Sequence, residues 1–329
     1  MPFVRHALCA GAVVAGILAA GGAAAQGAAY PNKPIRLIIP FAPGGASDFV
    51  GRILQPRWGE LAGQSIVIEN RPGASGNIGL EAAAKAAPDG YTLFLGNVGT
   101  IAINPGLYKS LEVTPTRDFV PITQVVDVPS ALVAHPSFPP NNAREMIEYV
   151  KPAPGKFFFA SPGPGSANRL EMERFMKQTG IQMVHVPYKG GAGPAITALL
   201  AGETSVMFVT LSSAASQVRA GKLKLLAVSA PQRLSAFPNT PTLAEAGLSE
   251  MTTGSWQGVF APTGTPAEVV VKLYAMLIQV MDTPDVRKRL NESGVDVVTS
   301  KSPAEFARFV REETERWAQV VKDSGATVD

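Results

Sequence analysis

Residues Arg36 to Asp48 read Arg-Leu-Ile-Ile-Pro-Phe-Ala-Pro-Gly-Gly-Ala-Ser-Asp. An apolar strand, Leu37 to Ile39, runs into a glycine turn, and a helix is expected to open at Ser47 or Asp48. The first amides of a helix have no partner inside it. The helix dipole adds positive character at the same place, so such a turn is suited to receiving an anion. A second turn of this kind, Ser161-Pro-Gly-Pro-Gly-Ser166, follows the apolar run Phe157-Phe-Phe-Ala160. Two such turns in one chain imply an anion, in the simplest case a carboxylate, gripped from two sides.

The groups that would turn this grip into catalysis are absent from the sequence patterns. The three histidines, His6, His135 and His185, have no second ligand at metal spacing. There is no Gly-x-Ser-x-Gly elbow and no Ser-x-x-Lys, and neither His135 nor His185 has a motif partner. Gly44-Gly45 and the 163–166 turn lack the Gly-Lys-Ser/Thr of a phosphate loop. Gly73-Ala-Ser-Gly76 reads as a tight strand-to-helix turn, not a dinucleotide fingerprint. No metal, no cofactor and no enzymatic activity are expected.

Residues 1–26 have the marks of a signal peptide. Arg5 and His6 precede a short apolar stretch, and Ala23-Ala24-Ala25-Gln26 offers small-residue cleavage sites. The single cysteine, Cys9, lies within this leader, so the mature chain carries no thiol, which suits an oxidising compartment such as a bacterial periplasm. The 329 residues leave enough mature chain for two domains. Twenty-nine basic against 26 acidic residues, with no basic run, argue against a nucleic-acid partner.

Short apolar runs alternate with helical patterns. Strands are expected at 35–39, 66–69, 92–95, 119–125, 131–134, 157–160, 183–186, 205–209, 224–229 and 258–261. Helices are expected at 48–62, 76–87, 144–151, 167–179, 193–201, 266–281, 284–293 and 303–324. This alternation implies an α/β chain with mostly parallel sheets flanked by helices. Along the last helix, Phe306, Phe309, Val310, Trp317, Val320 and Val321 form one stripe, which makes Trp317 a core residue. Proline-containing segments at Asp127-Val-Pro129 and 238–255 are the expected hinges.

At these residues the chain resembles the Bug-type receptors of tripartite tricarboxylate transporters, the TctC family of periplasmic solute-binding proteins. The matching pieces stand in order along nearly the whole mature chain. They are the 30–48 segment, Val67-Ile-Glu-Asn-Arg-Pro-Gly-Ala74, Pro88-Asp-Gly-Tyr-Thr92, Gly163-x-Gly-Ser166, Val186-Pro-Tyr-Lys-Gly190, Pro241-Thr-Leu-Ala-Glu-Ala-Gly247, Trp256 and Phe260-Ala-Pro262. The resemblance implies a two-lobed, venus-flytrap fold of the periplasmic-binding-protein type (type II-like). The lobes would be residues 27–126 with 251–329, and residues 127–250, with the ligand cleft between them. It further implies a monomeric receptor that passes a small organic mono- or dicarboxylate to a two-component membrane permease.

The resemblance also supplies candidate ligand-binding residues. The first turn gives Phe41, Ala42, Pro43, Gly44, Gly45, Ala46, Ser47 and Asp48, with backbone N–H groups as donors and Asp48 as the helix cap. The facing turn gives Ser161, Gly165, Ser166, Ala167, Asn168 and Arg169, with the Ser161 and Ser166 hydroxyls able to donate. Asn97, Thr100, Tyr188, Phe208, Val209 and Thr210 complete the set, and Lys189 is divided between cleft and surface. Family members often carry an acidic residue where this chain has Val209-Thr210, and histidine where it has Arg169. Without that acid the cleft favours a ligand lacking an amine. An apolar or aromatic ligand body is expected against Phe41, Phe208 and Trp256. A module reporting its ligand to a sensor kinase would share this chemistry, and a periplasmic hydrolase is the third reading.

Overall fold

The structure is a computed structural model that describes residues 30–164, 166–251 and 254–324. The expected leader and Gly165 lie outside the described residues.

Eleven strands are found among the described residues: β1 (Ile35–Ile39), β2 (Ile66–Asn70), β3 (Thr92–Asn97), β4 (Phe119–Asp127), β5 (Ser130–Ala134), β6 (Phe158–Ser161), β7 (Val184–Pro187), β8 (Val206–Thr210), β9 (Lys224–Val228), β10 (Gln257–Pro262) and β11 (Asp296–Val297). The helices are α1 (Ala46–Ala62), α2 (Asn77–Ala84), α3 (Asn104–Leu107), α4 (Pro115–Asp118), α5 (Ala143–Val150), α6 (Ala167–Thr179), α7 (Ala192–Leu200), α8 (Leu211–Arg219), α9 (Ala267–Asp282), α10 (Pro284–Glu292) and α11 (Pro303–Ser324).

The strands form two sheets, in the orders β11-β4-β10-β3-β1-β2 and β7-β6-β8-β5-β9. Each contains a parallel trio, β2-β1-β3 in the first and β7-β6-β8 in the second, completed by antiparallel neighbours. The sheets are therefore mixed, and the parallel arrangement read from the sequence belongs to these trios. Their strands are nearly continuous apolar runs because helices cover both faces. The α/β, two-lobed architecture stands as expected.

Between the lobes the chain crosses twice among the described residues, after β4 and before β10. The two crossings are tied to each other by a bridge between Pro129 and Gly254 and by the Ser255 N–H donating to the Val128 carbonyl at 2.8 Å. The last three helices return to the first lobe, where α9 packs on α1 and β4, and α11 on β4.

α1 follows from its apolar spacing. Val50, Ile53, Leu54 and Trp58 fall on one face and are buried against Leu37, Ile39 and Leu95. Gly63 stops the helix in the left-handed region, its N–H returning to the Glu60 carbonyl. Trp317 lies in the apolar cluster under α11, with Phe306 and Val310.

Gly258 lies in β10 directly beneath Phe306, and an added Cβ there would overlap the ring and approach the Thr123 carbonyl to 3.0 Å. Its φ is not one that excludes other residues, so the requirement is space alone. Gly258→Ala is expected to destabilise the protein by about 1–3 kcal/mol through overpacking. Urea unfolding compared with wild type checks this, and an unchanged midpoint would contradict it.

Candidate functional site

β1 ends in the turn that carries the first group of candidate residues. α1 opens at Ala46, with Gly45 as its N-cap and no side-chain cap. Asp48 is therefore not the cap. It sits in the first helical turn, where its carboxylate reaches back to accept the Gly44 N–H (3.0 Å) and also accepts from Arg52 Nε (2.9 Å) and Asn70 Nδ2 (3.1 Å). The same Asn70 nitrogen donates to the Phe41 carbonyl at 2.9 Å. This network shapes the turn, and it removes the Gly44 amide from the set that can meet an anion. The Ala42 amide is engaged as well, donating across the cleft to the Gly190 carbonyl at 2.9 Å. The first-turn amides from Ala46 to Asp48 remain without helical partners.

The second turn is equally self-contained. Ser166 is the N-cap of α6; its hydroxyl accepts the Arg169 N–H and donates to the Gly163 carbonyl at 2.8 Å. Ser161 Oγ lies 2.6 Å from His185 Nε2 and accepts the Gly163 N–H at 3.2 Å. Both hydroxyls hold the turn together, and of the two residues Ser166 also lines the cavity described below. Arg169 points neither to solvent nor into the cleft. Its side chain donates to Glu173 Oε1 (2.8 Å) and to the Pro164 carbonyl (3.3 Å), fastening α6 to the turn before it. Asn168 donates through Nδ2 to Ser130 Oγ (3.0 Å) and Glu171 Oε2 (2.9 Å). Both hydrogens of its side-chain amide are engaged, so the donor left to it is its backbone N–H.

The Ser161–His185 contact is a pair that no sequence motif announces. His185 stacks on Phe159, and no carboxylate hydrogen-bonds its Nδ1 among the described residues. Burial, aided by the positive charge of Arg169, pushes the imidazole down to about 4 and keeps it neutral near pH 7. Ser161 is itself fully buried. The pair thus lacks an exposed nucleophile and an orienting acid.

The two turns meet over a cavity of about 50 Å³ that opens to solvent. The first lobe lines it with Phe41, Gly45, Ala46, Ser47, Ser75, Asn97, Val98, Gly99 and Ser255. The second lobe contributes Pro162, Ser166, Ala167, Asn168, Ala192, Thr210 and Ser213. Four helices, α1, α6, α7 and α8, begin at its walls, and no lysine or arginine is among these residues. Thr100 is one layer back, fully buried, and clamps Asn97: its N–H and hydroxyl both bond Asn97 Oδ1. That leaves Asn97 Nδ2 as the donor facing the cavity.

A wider chamber adjoins the first through Phe41, Ser75 and Pro162 and is lined by Tyr188 and Lys189, with Gly73 to Gly76 opposite. Tyr188 donates its hydroxyl to Glu203 at 3.0 Å. Phe208 and Val209 line neither chamber. Phe208 packs on Phe175 in the second lobe's core, and Val209 lies in the cluster shared by the two sheets. Trp256 is likewise core, stacked edge-on against Phe306 and Phe309 with its indole N–H on Glu313. Of the three aromatic residues expected against a ligand, Phe41 alone borders the cleft.

The family model for tripartite tricarboxylate transporter family receptors matches residues 50–326. The chain belongs to this receptor family. The protein BugT of Bordetella pertussis is 35% identical over 298 residues, covering 90% of this chain and 91% of that protein. Among solved structures, MatC of Rhodopseudomonas palustris with bound malate superposes with a TM-score of 0.83 at 35% identity, covering 89% of this chain and 100% of that one. Rpa4515 of R. palustris with adipate gives a TM-score of 0.87 at 33% identity, covering 91% and 100%.

Three hydroxyl-bearing residues of this family member were not anticipated as cleft lining, Ser75, Ser213 and Ser255, and neither were Val98, Gly99, Pro162 and Ala192. Ser213 belongs to α8, which the sequence reading leaves out. Its signal is the spacing Leu211, Ala214, Ala215, Val218, faint because the middle pair is alanine.

Two carboxylates behind the cleft behave oppositely. Burial pushes Asp48 up, yet the hydrogen bonds from Arg52, Gly44 and Asn70 together pull it below its ordinary value. Burial dominates at Glu171 and pushes its carboxyl up to about 7, against the lowering effect of Ser130 and Asn168. Between an unfolded value of 4.5 and this folded value, the native state holds a proton that the unfolded chain releases. Stability therefore falls as pH rises through that window, by about 3 kcal/mol at most. Glu171→Gln is expected to remove this decline in urea-unfolding free energies measured from pH 4.5 to 8. A variant whose pH profile parallels wild type would contradict it.

Proposed function

We propose that the chain is a periplasmic receptor that closes on a small organic mono- or dicarboxylate and delivers it to a two-component, tripartite tricarboxylate-type permease. Residues 1–26 would direct export and be removed. The lobes, 27–126 with 251–329 and 127–250, would rotate about the paired crossings near Val128 and Ser255. One observation carries the reading: helix starts from both lobes line a single cavity that has no cationic side chain. Backbone donors and neutral side chains alone suit an anion whose charge is modest and delocalised, as in a carboxylate. Charge-assisted N–H bonds contribute about 1.5–3 kcal/mol each. A few of them reach the roughly −8 kcal/mol of micromolar binding. The malate- and adipate-bound family structures support the ligand class.

Closure brings glycines against the opposite lobe. Gly191 lies against the Phe41 ring, and Gly193 against the Pro43 carbonyl, where an added Cβ would sit 2.5 Å from the oxygen. Gly193 is in the first turn of α7, immediately before Pro194, so alanine brings no helix-forming gain there.

Purified mature protein is expected to melt several degrees higher with small carboxylates than with aspartate or glutamate, because the ammonium of an amino acid meets no acceptor charge in the cavity. A dominant response to the amino acids would defeat the reading. Gly193→Ala is expected to weaken carboxylate binding more than about tenfold in a protein that still melts cooperatively, since the added Cβ obstructs the approach of the Pro43 carbonyl. Calorimetric titration of both forms checks this, and unaltered affinity in the variant would count against closure at this contact.

A further inference from the structure

Four successive residues of the first lobe, Gly73 to Gly76, have positive φ. Glycine takes that region at little cost. Ala74 (46°) and Ser75 (53°) do not, and they are the only non-glycine residues with positive φ among the described residues. A backbone held in this way persists only where its surroundings impose it. Here α3 imposes it from both ends. Asn104, at the start of α3, donates through Nδ2 to the Ser75 carbonyl at 3.0 Å. Tyr108, just past its end, donates its hydroxyl to Ser75 Oγ at 2.8 Å. α3 is itself anchored, because Leu107 lies in the apolar cluster with Trp317 and Val321 of α11. The hold on the turn is incomplete: Asn104 Oδ1 is buried with no partner among the described residues. Strain in the backbone and an unpaired acceptor at the anchor are the conditions for a second arrangement of similar energy.

The turn stands at a partition. Ser75 borders both the cavity of about 50 Å³ and the wider chamber of about 450 Å³, a position it shares with Phe41 and Pro162. Gly163 of the second lobe faces it so closely that an added Cβ would lie 3.1 Å from Ser75 Oγ. A displacement of Ser75 alone therefore joins the two spaces while the rest of both lobes stays in place.

We propose that the 73–76 turn is a gate between the cavity and the chamber, held shut by Tyr108 and Asn104, and that it sets how fast a solute enters and leaves. The Tyr108–Ser75 bond lies within the first lobe, so it is made whether the lobes are together or apart. Loosening it lowers a barrier and leaves the free and bound states nearly as they were, so rates change and affinity does not. The proposal goes beyond the receptor reading, which concerns what is held and not how quickly. Its kinetic test rests on that reading, and its exchange test does not.

The first test is hydrogen exchange, followed by mass spectrometry, on the ligand-free mature protein. In Tyr108→Phe, peptides covering 71–80 are expected to exchange about tenfold faster than in wild type, with α1 and α11 unchanged. Unchanged exchange at the turn, or a rise spread over the whole first lobe, overturns the gate. The second test is stopped-flow mixing with malate or adipate, followed by intrinsic fluorescence. Tyr108→Phe is expected to raise the association and dissociation rate constants together, by about fivefold or more, with the dissociation constant within about threefold of wild type. Ser75→Gly, which suits the positive φ and lacks the hydroxyl, is expected to speed dissociation likewise in a protein that still melts cooperatively. Faster dissociation with unchanged association in Tyr108→Phe overturns the proposal, as do wild-type rates in both variants. A wild type that binds neither acid, with exchange at the turn still answering to Tyr108→Phe, overturns the carboxylate reading and leaves the gate standing.

Discussion

Everything in the cleft depends on backbone amides that have no partner within the fold. A helix that begins where a parallel strand ends leaves its first N–H groups facing outward, and here two lobes aim four such starts into one space. The surrounding side chains serve mainly to keep the turns in shape. Asp48, Arg52 and Asn70 fix the first turn; Ser161, Ser166, His185 and Arg169 fix the second. Residue types that suggest ligand contacts in the sequence are occupied here in holding main chain.

That division explains what the sequence discloses and what it conceals. The 36–48 and 157–166 segments are readable because a strand, a glycine turn and a helix must follow one another locally, and each leaves its own pattern. The alternation of elements likewise gives the α/β class. Strand direction is less accessible: β10 pairs antiparallel with both β3 and β4 after a separation of well over a hundred residues, and nothing local encodes that pairing. The placement of Phe208 and Trp256 fails for a related reason. An aromatic residue next to a cleft motif fits a ligand wall or a core equally well until its partners are known, and Phe175, Phe306 and Phe309 are those partners.

The omission of α8 has a different cause. Serine and alanine carry weak apolar periodicity, and Leu211-Ser-Ser-Ala-Ala-Ser-Gln-Val reads as a polar connection. The helix forms because Leu211, Ala214 and Ala215 are buried against the shared cluster, where small residues allow close approach. Its small polar residues at the N-terminal end are then carried into the cavity wall. The least conspicuous stretch of the second lobe thus supplies a buried donor that the larger, more chemically suggestive residues do not.

The cavity where the helix starts meet has no lysine or arginine among its lining residues, Lys189 standing in the adjoining chamber, and this sets the character of recognition there. Fixed cations would attract any anion at long range and would weaken steeply with salt. Amide and hydroxyl donors act only at contact, so they reward a ligand whose oxygens fall where the helix starts converge. The requirement for contact falls on both lobes at once, and glycine meets it at the seam, where Gly191 and Gly193 let Phe41 and Pro43 approach the opposite backbone. Affinity and closure therefore draw on one geometric condition: the main chains of the two lobes must come close enough for donors on each to reach the same guest. On the receptor reading proposed above, substitutions that add bulk at the seam would act on binding without touching a ligand atom, whereas substitutions of the bracing side chains would act by displacing the amides they hold.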